Sequence, residues 1–286
     1  MKNRVQPIEL PDQTGSTWLV TGATNGVGQE VARAARKAGA RLIITARDRG
    51  RGLAAQRELD AIRLINLDLA DLESIRAAAA SVDEPIDVLI NCAGVVTPKR
   101  EETVDGFEMM MGTNFLGPFA FTNLIAGHVK RRVVIVGSEA HQKARLDLGD
   151  LQFTNGWWPL AAYSRSKLAD MLWGLELSRR LGPVDITVAH PGWAMTNLQN
   201  AFSAPVNAAI TAVSSLVAQS AADGAQSVLW AAVADIPSGS YVGPDGFGAL
   251  RGNPTLIGRA ALASDPYLSR KLWDSAVELT ATDLPS

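Results

Sequence analysis

The sequence predicts an α/β protein, a mainly parallel sheet with helices on both faces. Short apolar runs alternate with longer stretches of helical periodicity along the chain. Each run is apolar on both faces, which suits strands covered from two sides rather than a sheet with one wet face. The first run also ends in a glycine cluster that opens into a helical stretch. No composition shift, repeat or Pro-rich linker divides the chain, so residues 1–286 are expected to form a single doubly wound domain. Within it, residues 1–14 read as an N-terminal extension and 193–222 as a substrate loop or lid.

The elements follow in order. Residues 18–21 form the first strand, and 27–37 a helix that Gly39 closes, as a C-terminal glycine does. Residues 41–45 and 62–67 give the second and third strands. An alanine-rich helix at 74–80 precedes the fourth strand at 86–91. The fifth and sixth strands fall at 133–136 and 186–189, with helices at 107–128 and 161–181.

Composition narrows the function. Of 286 residues, 47% are hydrophobic and 20% charged, enough apolar mass for a sizeable core and too much for a disordered chain. Against 29 acidic residues stand 27 basic ones, a formal charge of -2, so no basic excess supplies nucleic-acid contacts. One cysteine, Cys92, cannot make an internal disulfide. The start is polar and broken by Pro7 and Pro11, without the apolar core of a secretory signal. The expected location is therefore cytoplasmic. Residues 186–222 carry no charge, yet asparagines, glutamines, serines and Pro205 interrupt them, so no membrane span is expected.

The first strand runs into Thr21-Gly22-Ala23-Thr24-Asn25-Gly26-Val27-Gly28. Glycines there let backbone approach a pyrophosphate, and the helix N-terminus offers free N–H groups and a positive dipole end. The second strand ends at Thr45-Ala46-Arg47, where an NAD-binding fold usually carries an acid for the ribose 2′-OH. An arginine fork suits a 2′-phosphate, which favours NADP over NAD. Asp48, turned inward, would bind the ribose instead.

Chemistry gathers further along. Tyr163 and Lys167 stand four apart in a helical stretch, so phenol and ammonium share a face. A nearby cation favours the phenolate and brings a group of ordinary pKa about 10 towards working range. Ser138 ends the fifth strand, at the sheet edge where ligands bind, and can donate to an oxygen that gains negative charge. No G-x-S-x-G elbow occurs, which excludes the usual hydrolase. No His, Cys, Asp or Glu spacing suits a metal, so none is predicted. His141 and His190 read as structural, while Trp157 and Trp158 read equally as pocket cover or packing.

Together these motifs resemble the short-chain dehydrogenase/reductase family over nearly the whole chain. They are the glycine turn, Asp68 in Asn66-Leu67-Asp68-Leu69, Asn91-Cys92-Ala93-Gly94, Asn114, Ser138, Tyr163-x-x-x-Lys167, and Pro191-Gly192 with Thr196. The sequence looks most like the retinol-dehydrogenase-like branch, through Ser138-Glu139-Ala140-His141, the long insert before Ala162-Tyr163-Ser164-Arg165-Ser166-Lys167-Leu168-Ala169-Asp170, and the tail around Gly239 to Gly246 with Arg251-Gly252-Asn253-Pro254. Cys92 departs from the family's usual asparagine.

The resemblance implies a Rossmann domain with a mainly parallel seven-stranded sheet and NADP-dependent hydride transfer to or from a small lipophilic carbonyl or alcohol. Its implied cofactor residues are Gly22, Thr24, Asn25, Gly26, Val27, Gly28, Arg47, Asp68, Leu69, Asn91, Ala93, Gly94, Pro191, Gly192 and Thr196. Asn114, Ser138, Tyr163 and Lys167 are the implied catalytic set, with Tyr163 as proton donor or acceptor and Lys167 as ribose partner. Family habit implies a dimer or tetramer. The alternative functions are a non-catalytic nucleotide-sensing or scaffold protein on the same fold, or a lipid-binding module around 186–222.

Overall fold

The computed structural model describes residues 5–193 and 219–285 of the chain. Thr196 and most of the loop expected at 193–222 lie outside them. The described elements are β1 (Thr17–Val20), α1 (Gly26–Lys37), β2 (Arg41–Ala46), α2 (Arg49–Glu58), β3 (Arg63–Asn66), α3 (Leu72–Ala80) and β4 (Ile86–Asn91). Next come α4 (Met109–Met111), α5 (Gly117–Ile125), β5 (Val129–Val136), α6 (Pro159–Arg180) and β6 (Asp185–Ala189). After residue 218 the chain forms α7 (Ala221–Val233), β7 (Ser240–Pro244), β8 (Pro254–Leu256) and α8 (Pro266–Thr280).

One sheet has the order β3-β2-β1-β4-β5-β6-β7-β8. Strand β1 pairs in parallel with both β2 and β4, so the winding reverses between them. That reversal opens a crevice at the carboxyl ends of the strands, where such sheets bind ligands. Apolar side chains pack on both faces. Leu72 and Ile75 of α3, Phe119 of α5, Leu168 of α6 and Trp273 of α8 fill one side. Val27 and Val31 of α1, Ala55 of α2 and Val228 of α7 fill the other. Among the described residues, no helix is long and apolar enough to cross a membrane.

Three features differ from the sequence expectation, each for a physical reason. The sheet has eight strands rather than seven, because the chain turns after β7 and returns antiparallel as β8. Backbone bonds from Asp245 to Asn253 and from Gly246 to Arg251 close that turn. Strand β8 has three residues and opens on a proline, too short to leave a periodic signal. Strand β5 starts four residues earlier than expected, because Lys130, Arg131 and Arg132 hide its pattern. Arg132 is nevertheless buried, donating to the carbonyls of Ala231 (3.0 Å) and Ala234 (2.6 Å) and pairing with Asp185 at 2.9 Å.

Helix α2 has little apolar character of its own and is set by its cap, Asp48, which accepts from the Arg51 N–H at 2.7 Å. Finally, the helix expected at 107–128 is broken. Between α4 and α5 lies a π-helical turn, Gly112–Leu116, across which the Gly117 N–H reaches back five residues to Gly112 O. Pro118 has no N–H to offer the Asn114 carbonyl four residues earlier, so an ordinary helix cannot continue through it.

An aromatic cluster joins three helices on the α6 side. The Phe119 ring lies 4.8 Å from Trp273 and 6.3 Å from Trp173, centroid to centroid, with Phe115 at 5.9 Å. All four side chains are buried. Phe119→Ala is expected to cost about 3–5 kcal/mol of unfolding free energy. Tyr267→Ala, at a position 67% exposed, is expected to stay within about 0.5 kcal/mol of the parent. Denaturant titrations of both variants check this; equal losses would contradict it.

Candidate active site

The glycine turn lies directly on the segment after β4. Thr21 Oγ1 accepts from the N–H groups of Cys92 (3.0 Å) and Ala93 (3.1 Å), joining the two loops. Gly22 has a φ of +71°, and a Cβ there would lie 2.8 Å from Ala93 Cα. A Cβ on Gly28 would lie 2.4 Å from Gly22 O. Both glycines are therefore required by close backbone approach. Thr24 and Asn25 complete the bend, and Asn25 precedes α1 without its side chain capping the helix.

The first intrahelical bond of that turn runs from Gln29 N–H to Asn25 O, so the N–H groups of Gly26, Val27 and Gly28 precede the ladder. No acid stands in this turn. Beside it, Asn91 donates to Thr122 Oγ1 at 3.0 Å, while its own buried Oδ1 has no partner among the described residues. An uncapped positive helix end and an orphaned amide oxygen next to Ala93 and Gly94 fit a nicotinamide dinucleotide.

At the β2 end, Arg47 is exposed and Asp48 is committed to capping α2. Arg47, Asn66, Asp68 and Ser74 line a cleft of about 760 Å³. The Asp68 carboxylate accepts from Ala70 N–H at 3.0 Å, and its backbone N–H donates to Ser74 Oγ. Leu69 lies against α5, where a Cβ on Gly117 would fall 2.2 Å from Leu69 O.

The four residues expected to do the chemistry converge on the carboxyl ends of β4 and β5. Asn114 sits in the π-helical turn. Its Oδ1 accepts from Val95 N–H (2.7 Å), and its Nδ2 donates to Val95 O and to Ser166 Oγ, both at 3.0 Å. Those bonds clamp the segment after β4 to α6. Lys167 Nζ donates to Val136 O, at the end of β5, across 2.9 Å, and lies 5.9 Å from the Tyr163 ring centroid. Ser138 Oγ accepts from Ala140 N–H at 3.2 Å, capping a 3-10 turn. A hydroxyl oxygen engaged that way keeps its own O–H free to donate.

Two histidines stay neutral. Burial lowers the His141 pKa, with Arg259 acting in the same direction. Its Nε2 accepts from Ala260 N–H at 3.2 Å, so Nδ1 carries the proton and donates to Ser138 O at 2.7 Å. His141 thus supports the serine from behind. Burial lowers His190 to about 3, aided by His141 and Lys167. Burial pushes the Cys92 thiol up to about 12 against the pull of Lys167, which leaves no thiolate at neutral pH. Among the described residues, no group of three His, Cys, Asp or Glu is placed to hold a metal ion.

Pro191 and Gly192 follow β6, and Gly192 has a φ of +70°. Gln219, absent from the sequence expectation, donates from Nε2 to Pro191 O at 2.6 Å, while its backbone N–H bonds Trp193 O. Residues 193 and 219 are thereby tied together. Thr196 lies outside the described residues. Two further residues are given no role by the sequence reading. Buried Glu108 accepts from Trp157 Nε1 at 3.1 Å, drawing the long insert onto α4. Buried Asp170 pairs with Lys167. Trp157, Val95, Val96 and Tyr163 each pack against a small buried cluster of Met110, Phe153 and Ala162, forming an apolar wall, whereas Trp158 is 53% exposed.

Comparison with known proteins agrees with this arrangement. The family model for short chain dehydrogenases matches residues 16–207. Polyprenol dehydrogenase of Mus musculus is 33% identical over 301 residues, spanning 98% of this chain and 88% of that protein. Retinol dehydrogenase 14 of Homo sapiens is 35% identical over 290 residues, spanning 91% and 84%. A crystal structure of an uncharacterized protein from Mycobacterium paratuberculosis shares 38% identity at a TM-score of 0.85, covering 97% of this chain and 98% of that one. With its parallel sheet, glycine turn and Tyr-x-x-x-Lys helix in the matching order, the chain belongs to the short-chain dehydrogenase/reductase family of oxidoreductases, in its retinol-dehydrogenase-like branch.

Proposed function

We propose that the protein is an NADP-dependent oxidoreductase acting on a lipophilic alcohol or carbonyl compound, of the size of an isoprenoid alcohol or its aldehyde. The observation that carries this is Tyr163 and Lys167 on one face of α6, with Lys167 anchored at Val136 O and Ser138 two residues beyond that carbonyl. A bound nicotinamide supplies the hydride acceptor or donor. The chain positions, polarises and handles the proton. Ser138 Oγ–H donates to the substrate oxygen, and Tyr163 gives that oxygen a proton in reduction or removes it in oxidation. Lys167 spends two of its three N–H bonds on Val136 O and Asp170 and keeps the third for the nicotinamide ribose.

Binding is divided along the crevice. The first turn of α1 holds the pyrophosphate, and Arg47 holds the 2′-phosphate. The engagement of Asp48 with α2 supports the phosphate reading, since the acid that would repel this group is turned to Arg51. Asp68 and Leu69 border the adenine, while Asn91, Ala93 and Gly94 border a ribose. The nicotinamide lies towards Pro191, Gly192 and Thr196. For the substrate, the apolar wall of Val95, Val96 and Trp157 beside Tyr163 suits a hydrocarbon chain. Two relatives carry the isoprenoid alcohols retinol and polyprenol in their names.

Two experiments test the reading. Tyr163→Phe is expected to lower kcat by about 10²–10⁴-fold while NADPH binding stays near the parent value. Steady-state turnover of retinal and of short isoprenoid aldehydes measures this; undiminished turnover would remove Tyr163 from the chemistry. Arg47→Ala removes charge-assisted hydrogen bonds worth about 1.5–3 kcal/mol, so NADPH affinity is expected to fall roughly tenfold or more. NADH affinity is expected to hold steady. An equal loss for both cofactors would contradict the assignment of Arg47.

A further inference from the structure

Asp170 lies one helical turn beyond Lys167 and is 1% exposed. Its Oδ2 accepts from Lys167 Nζ at 2.7 Å, while its buried Oδ1 has no hydrogen-bond partner among the described residues. A carboxylate so enclosed loses most of its solvation, and its attraction to a buried ammonium typically does little more than offset that loss. Net stability therefore gives no account of the pair. What the pair does settle is the charge and direction of Lys167. Val136 O and Asp170 Oδ2 together leave one N–H unassigned.

We propose that Asp170 is a positioning residue: its carboxylate is the counter-charge that keeps Lys167 an ammonium and aims the remaining N–H at the cofactor ribose. The proposal rests on the reading of Lys167 as the ribose partner. Three further titratable groups face the ammonium. Tyr163 lies on the same helix, while Cys92, on the segment after β4, and His190, at the end of β6, couple to it electrostatically. Cys92 and His190 are neutral at working pH, so neither replaces the carboxylate. Burial by itself pulls the Lys167 pKa down; the charge of Asp170, the largest opposing influence, helps turn the net shift upward. Burial raises the Asp170 carboxyl, and the Lys167 ammonium 2.7 Å away pulls it back towards the ionised form.

The test is NADPH affinity, read by cofactor fluorescence on the full chain between about pH 6 and about pH 10, a range that spans the expected lysine titration. Asp170→Asn keeps the shape and an acceptor but removes the charge. Without its counter-charge the ammonium loses its proton at lower pH, so the loss of affinity falls on the alkaline side. The parent is expected to bind evenly up to about pH 9, and Asp170→Asn to weaken about tenfold or more by that point, a displacement of about two pH units or more. Asp170→Glu, which restores the charge, is expected to recover the even profile.

Lys167→Met is expected to bind weakly at every pH, and adding Asp170→Asn to it is expected to change nothing further. An Asp170→Asn profile that overlays the parent would overturn the proposal. So would an equal loss of affinity on adding Asp170→Asn to Lys167→Met, because Asp170 would then not act through the lysine. A parent that binds NADPH yet reduces no aldehyde or ketone would count against the proposed enzyme function. The affinity comparison would still decide the role of Asp170.

Discussion

The hydrogen bond from Lys167 Nζ to the carbonyl of Val136 is the contact on which the site depends. It joins the central helix of one layer to the carboxyl edge of the sheet, where β5 runs into Gly137 and Ser138. A lysine on a helix surface would hold its long side chain in many rotamers. Here burial, a backbone acceptor and a buried carboxylate leave it one direction. Tyr163, one turn earlier on α6, faces the same space. The spacing of Tyr163, Lys167 and Ser138 is thus set by backbone geometry, with side-chain bonds removing the remaining freedom.

Other contacts bring the neighbouring loops into register with that helix. Asn114 binds both backbone atoms of Val95 and the hydroxyl of Ser166, so the loop after β4 cannot shift independently of α6. Thr21 joins the same loop to the glycine turn. His141 joins the serine end of β5 to the C-terminal segment at Ala260. Each of these polar groups is buried or nearly so, and each makes at least one bond to a backbone atom of another segment. The cofactor crevice and the chemical groups are consequently parts of one connected network.

Much of this was legible in the sequence, for definable reasons. Strands β1, β2, β4 and β6 are apolar on both faces and stand out as runs. The pair Tyr163 and Lys167 is legible because helical geometry fixes what residues four apart share. Strand β5 is half concealed, since Lys130 to Arg132 carry charge and Arg132 finds its partners on α7 and at Asp185, far along the chain. The π-helical turn was written as Gly117-Pro118 inside an apparent helix, but its consequence for Asn114 needs the close contact of Gly117 with Leu69 O. Asp170 stands in the stretch that carries the branch resemblance, but spacing carries no measure of burial and so gives it no role. Gln219 and Glu108 act on segments distant in sequence, so no local pattern announces them.

The most direct measurement of the central claim is isotopic. Parent enzyme is incubated with retinal and NADPH carrying deuterium at C4 of the nicotinamide, and the alcohol product is examined by mass spectrometry. The account predicts one deuterium on the carbinol carbon for label on one face of the ring and none for label on the other. Alcohol formed without label from either face would contradict direct hydride transfer at Tyr163 and Ser138. So would an absence of product, across retinal and isoprenoid aldehydes of several lengths, from a protein that binds NADPH.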